Sequence, residues 1–147
     1  MKKEILAFKK VRNELVVLVG LVSLDKREVK LFGDWSLKDL LAHFIGWSDY
    51  QIEVLNEFAQ HKQSKIISDV QKYNEKSVIT KKEWHWDKTY TEFLKSTEKL
   101  ISTYMSLPDN YWDKPIWKNK KVTPQKLLEI ETKHYVGEHL KSIIKII

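Results

Sequence analysis

Residues 34–47 read DWSLKDLLAHFIGW, and the rest of the chain is best interpreted outward from them. Ser36 followed by Asp39 is an S-x-x-[DE] capping pattern, in which each side chain can bond the other residue's backbone N–H. Trp35 before the cap and Leu40 after it are placed for a hydrophobic staple. The pattern predicts a helix starting at Ser36 and running to about Gln60. At about 100° per residue, Leu37, Leu41, Phe44, Ile52 and Leu55 fall on one stripe. Leu40, His43, Trp47, Tyr50 and Val54 fall on a second. A helix apolar over so much of its surface is covered on two sides. His43 therefore faces inward beside Trp47, either as a packed core residue or as a residue that holds something.

The other helices follow from the same periodicity. Ile5, Phe8, Val11, Leu15, Leu18 and Val22 recur at steps of three and four, predicting a first helix over about Lys3–Leu24. Valines 16, 17 and 19 widen its apolar surface, which suits burial on two sides or a homodimer contact. Residues 61–85 are polar and weakly periodic, a partly helical crossover anchored by Val70, Tyr73 and Val78. A third long helix is expected over about Asp87–Leu107, ending before Pro108. A fourth opens with Thr123 as cap and Pro124 at N1 and runs to the carboxyl end. Four such helices make an all-α four-helix bundle with a long crossover between helices two and three, in one domain over 1–147. The first two helices are expected to be neighbours.

Composition narrows the chemistry. The 147 residues contain only four glycines and three prolines, too few for the turns of an all-β domain. There is no cysteine, which excludes disulfides, thiolate metal sites and cysteine nucleophiles. The apolar run LVVLVGLV (15–22) is too short to span a bilayer, and no signal cleavage site follows it, so a cytoplasmic protein is expected. The net charge is +6, but the lysines are scattered among acids. Even the basic loop Lys114–Lys126 is better explained as solvated surface than as a nucleic-acid site. Trp84, His85 and Trp86 suit packing at the start of helix three, and His61 suits a solvated helix end.

The last helix contains IETKHYVGEHLKSI (130–143), with His134, His139, Glu131 and Glu138. Inward histidines and carboxylates on facing helices are how bundles build metal sites. Imidazole suits zinc, nickel, iron or copper, and three histidines leave an open position for a nucleophile. The spacing works against it: residues five apart stand about 140° apart on a regular helix. A π-bulge at Gly137 would supply the extra residue that swings His134 and His139 together. Glu131 could act as an acid or base if it faces His43, and Glu138 could orient a histidine. Trp112 and Trp117 lie in the aromatic loop YWDKPIWKNKKV (111–122), either as a lid or as walls of a pocket.

The segment WSLKDLLAHFIGW (35–47), with its W-x-x-x-D-x-x-x-H core, together with EHLKSI (138–143), resembles the DinB-like superfamily of four-helix-bundle proteins. The stretch YWDKPIWKNKKVTPQKLL (111–128), leading into ETKHY, is similar to its ClbS/DfsB-type branch. The resemblance covers nearly the whole chain. It implies a divalent metal, zinc or nickel, held by one histidine of helix two and two of helix four. His43 matches the first and His139 the last. The middle one is expected at Tyr135, so His134 is the third candidate ligand and Tyr135 its alternative. The implied activity is that of a metal-dependent hydrolase or thiol-dependent transferase in stress response or detoxification. Its small-molecule pocket would be lined by Trp47, Tyr135, Glu131, Trp112 and Trp117. The alternative is a non-catalytic ligand-binding or dimeric protein of the same fold, without the metal.

Overall fold

The computed structural model describes all 147 residues. Helices α1 (Lys3–Leu21), α2 (Leu37–Ala59), α3 (Val70–Ile79), α4 (Trp86–Ser106) and α5 (Pro124–His134) follow in order. The chain then passes through a π-helical turn, Tyr135–Leu140, into a last α-helical turn, α6 (Lys141–Ile144). No strand forms; the nearest approach is an isolated bridge between Phe32 and Trp35. The architecture is the expected all-α bundle, with α3 sitting in the long crossover.

The caps form as their side chains dictate. Ser36 Oγ accepts from the Asp39 amide at 3.1 Å, and Asp39 Oδ2 accepts from the Ser36 amide at 2.9 Å. Thr123 caps α5 by accepting from the Lys126 amide, with Pro124 at the first helical position. Asp69 does the same for α3 through the Lys72 amide. On α2, residues of both predicted stripes are buried, His43 among them.

Three expectations need correction. The first helix stops at Leu21, and Leu24–Lys26 form a separate 3₁₀ turn. The first two helices are not close backbone neighbours: α1 packs on α5 and α4, while α2 packs on α4 and α3. The 15-residue link between them is long enough to carry the chain across the end of the bundle. Gly33, at φ 64°, turns that link, and Phe32 and Trp35 exchange backbone hydrogen bonds across it. The last helix is also not α-helical throughout, and this matters most for the site.

Helix α3 is clamped against α2. Tyr73 donates its hydroxyl proton to the Gly46 carbonyl at 2.6 Å, and Trp47 Nε1 donates to Asn74 Oδ1 at 2.6 Å. The approach requires a glycine, because a Cβ at position 46 would overlap the Ser77 side chain. Gly46→Ala is expected to destabilise the protein by about 1–3 kcal/mol despite alanine's better helix propensity. Adding Ser77→Gly should recover most of the loss in urea unfolding. If Gly46→Ala alone is neutral, the clamp is looser than described.

Candidate metal centre

Three histidines from three elements of the fold, α2, α5 and the π turn, converge at one end of the bundle. His43 projects from α2, His134 ends α5, and His139 lies in the π turn. Nε2 of His134 stands 3.3 Å from Nε2 of His43 and 2.7 Å from Nε2 of His139. One ligand atom from each lies within 4.8 Å of the other two. Nitrogens around a tetrahedral zinc at about 2.0–2.1 Å would be separated by about 3.4 Å, so small side-chain adjustments suffice to seat one ion.

The π turn is what makes this possible. It spends one residue more than an α-turn between Tyr135 and Leu140, so His134 and His139 arrive on the same side. The three rings stand edge to face, at 79° between His134 and His139 and 85° between His43 and His134. Trp35, Phe44 and Tyr135 surround them.

Burial pushes His43 down to about 3, helped by repulsion from His134 and His139. Burial and the charge of His134 likewise push His139 down to about 3. Both are therefore neutral near pH 7, with lone pairs free to bind a cation. Nδ1 of His43 has no hydrogen-bond partner. Imidazoles in a half-buried cluster, two of them neutral, fit a zinc or nickel ion. A stability consequence follows for the metal-free protein. In the unfolded chain these histidines bind protons below about pH 6.5, while in the fold they do so only near 3. Stability must therefore fall as pH drops below 6.5. Between pH 7 and 5 the loss should be at most about 2 kcal/mol per histidine. Urea unfolding with chelator present at both pH values would show it, and equal stability would contradict the burial of the cluster.

The carboxylates divide. Glu131 is buried, and its Oε2 accepts from Gln51 Nε2 at 2.6 Å. Its Oε1 lies 3.7 Å from His134 Nδ1. Glu138 is exposed, with Oε2 at 3.6 Å and 3.8 Å from the Nε2 atoms of His134 and His139. It therefore borders the open side of the cluster.

A cavity of about 520 Å³ reaches His43, His134 and Glu131, with Trp47, Tyr50 and Asn74 among its walls. Trp47 and Glu131 line it. Tyr135, Trp112 and Trp117 do not. Tyr135 is fully buried in the main core, 4.5 Å from Phe44 and 5.2 Å from Phe8 by ring centroid. Burial holds its phenol well above 10, which disfavours the phenolate that coordination would need. Trp112 packs against Tyr104 in the main core. Trp117 donates Nε1 to the Ser64 carbonyl and joins Val54 and Ile116 in a satellite core. It sits behind Tyr50 and Leu127, which do line the cavity. The aromatic loop thus packs farther along α2, some three turns from His43. Sequence reasoning missed Gln51, whose only signal is being polar on the largely buried α2, and Asn74, which carries no signal because α3 is mostly exposed. His61 is exposed beside Tyr111, and His85 is exposed at the start of α4.

The fold and site together define a helix bundle with a three-histidine cluster beside a cavity. A crystal structure of a mycothiol-dependent maleylpyruvate isomerase shares the fold with a TM-score of 0.78 and 11% identity, over 98% of this chain and 66% of that one. A histidine-to-alanine mutant of the mycothiol-dependent maleylpyruvate isomerase matches equally well, with a TM-score of 0.78 and 10% identity. The chain thus spans 66% of the length of either structure. At 10–11% identity the likeness is one of fold alone. No family model and no curated protein matches the sequence. No helix is long and apolar enough to cross a membrane.

Proposed function

We propose that the chain is a single DinB-like domain that binds a divalent metal, zinc or nickel, through Nε2 of His43, His134 and His139. It acts on a small molecule held in the adjoining cavity. The convergence of the three Nε2 atoms carries this reading. When bound, the metal supplies Lewis acidity that lowers the pKa of a water or thiol and yields a nucleophile at neutral pH. The chain's own residues do the rest. Trp47 and Tyr50 offer apolar walls, and Asn74, tied to Trp47, holds one of them in place. Glu138 stands where it can accept a proton from a nucleophile approaching the open side.

A thiol is the favoured co-reactant, because the enzyme that shares this fold is mycothiol-dependent. A role in stress response or detoxification, membership of the ClbS/DfsB-type branch and a cytoplasmic location belong to the same proposal and rest on sequence resemblance. The direct experiment is metal analysis of protein purified without a histidine tag. Stoichiometric zinc or nickel, removed by chelator with a fall in melting temperature, is the expected result. Protein that binds neither ion at micromolar concentration would leave the non-catalytic ligand binder.

That second reading has one observation of its own. Leu6, Val17 and Leu21 are exposed on the outer face of α1, beside a shallow groove. This would suit a homodimer through α1, which Val17→Glu should dissociate in light scattering.

A further inference from the structure

We infer that Glu131, held by Gln51 and Tyr104, is a positioning residue for His134 that fixes which ring nitrogen carries the proton. The inference builds on the proposed three-histidine centre. A carboxylate can only accept hydrogen bonds, so the Gln51 group facing it must be the NH2. Gln51 Oε1 then faces Tyr104, whose hydroxyl donates to it at 2.7 Å. The amide orientation is thus fixed by chemistry rather than by choice. Donors run in one direction, from Tyr104 on α4 through Gln51 on α2 to Glu131 on α5. All three residues are buried.

The chain stops one donor short. Glu131 Oε1 is buried without a hydrogen-bond partner. A buried carboxylate oxygen left unpaired is costly, so a donor is expected nearby. His134 Nδ1, at 3.7 Å, can supply one. That distance is longer than a hydrogen bond, as such contacts often are before a site is filled. A neutral imidazole has one N–H. Placed at Nδ1, it faces Glu131 and leaves the Nε2 lone pair aimed at His43 and His139. Placed at Nε2, it strands Glu131 and puts a proton where the shared centre lies. The carboxylate therefore selects the ligating tautomer and raises the basicity of Nε2. In the metal-free protein the 2.7 Å contact between His139 and His134 is then donated by His139 Nε2–H, and the ring must shift that proton to Nδ1 before its Nε2 can ligate a metal. Glu138 cannot do this job. It lies nearest the Nε2 side of His134 and is open to solvent, which reverses the roles expected from sequence.

Two measurements test this on the full chain. The first is zinc affinity by competition with a chromophoric chelator. Glu131→Gln should weaken binding by about 10–100-fold, and Tyr104→Phe by a smaller factor. The second is the nitrogen–proton correlation spectrum of the metal-free protein. Wild type should show His134 protonated at Nδ1, and Glu131→Gln should shift the ring toward the Nε2–H form. Zinc affinity within twofold of wild type in a folded Glu131→Gln protein would overturn the inference. So would a wild-type His134 already protonated at Nε2. If Glu131→Gln does not fold, Tyr104→Phe decides both measurements. Wild type that binds no zinc yet shows the Glu131-dependent tautomer would defeat the metal reading and leave the positioning role standing.

Discussion

Alanine at His139 is expected to reduce zinc or nickel affinity roughly a thousandfold, to the point where stoichiometric metal is no longer retained. A site with four protein ligands yields about 10–16 kcal/mol of binding free energy, so one imidazole of three accounts for several kcal/mol. His134→Ala should behave alike. His61→Ala and His85→Ala should have no effect, because both histidines are exposed and apart from the cluster. His43 offers a sharper contrast. It is buried and neutral, and its Nδ1 lacks a partner. His43→Leu replaces an imidazole that has one stranded nitrogen, Nδ1, with an apolar group of similar size. It should abolish metal binding and yet stabilise the metal-free protein by about 1–2 kcal/mol. That opposition is what a residue kept for function rather than packing should show. Competition titration and thermal melting on the same samples would test it. Retention of wild-type affinity in both His139→Ala and His43→Leu would sink the three-histidine centre.

The fold was largely legible because local signals agreed with global burial. The Ser36–Asp39 box sets the start of α2 and therefore its phase, and the phase turns His43 inward. The Thr123–Pro124 pair does the same for α5. Adjacency of the helices was not legible, since a 15-residue link with a glycine turn can reach either neighbour. The clustering of the three histidines was legible in part. His43 and His139 could be identified by their matches to the resembled pattern, and His134 only by allowing an irregular helix. The aromatic loop misled for a physical reason: tryptophans seek burial wherever they can be covered, and α2 offers Val54 and Phe58 as well as His43. Tyr135 misled because position four before a histidine is the right place only in a regular helix. The extra residue of the π turn hands that place to His134 and sends Tyr135 into the core between Phe8 and Phe44.

Deletion of Gly137 should leave the bundle folded and the histidines together, although a one-residue deletion inside a helix normally destroys it. In a regular helix, removing a residue turns everything beyond it by about 100° and pulls the buried face out of the core. The last helix is different. Its buried positions run Leu128, Glu131 and Tyr135, then jump by five to Leu140 and continue to Ile143. Steps of three and four break once, between the same residues that bracket Gly137. That jump is an α-helical pattern with one residue inserted, and the π turn absorbs it without disturbing either flank. Taking the residue out converts Tyr135–Leu140 to α-helix and brings the two histidines four apart, which places them on one face. Gly137 has open space around it, so no packing is lost. Removing a helical glycine also favours the helix by about 1 kcal/mol. The melting temperature should hold or rise, and zinc should still bind within about tenfold of wild type. Deletion of Glu98, exposed in the regular helix α4, is the matched control. It turns Ile101 and Tyr104 away from the core and should leave the protein unfolded. Circular dichroism and zinc titration of the two deletions separate the cases. If the Gly137 deletion unfolds as the Glu98 deletion does, the π turn is not an inserted residue, and the alignment of His134 with His139 must come from somewhere else.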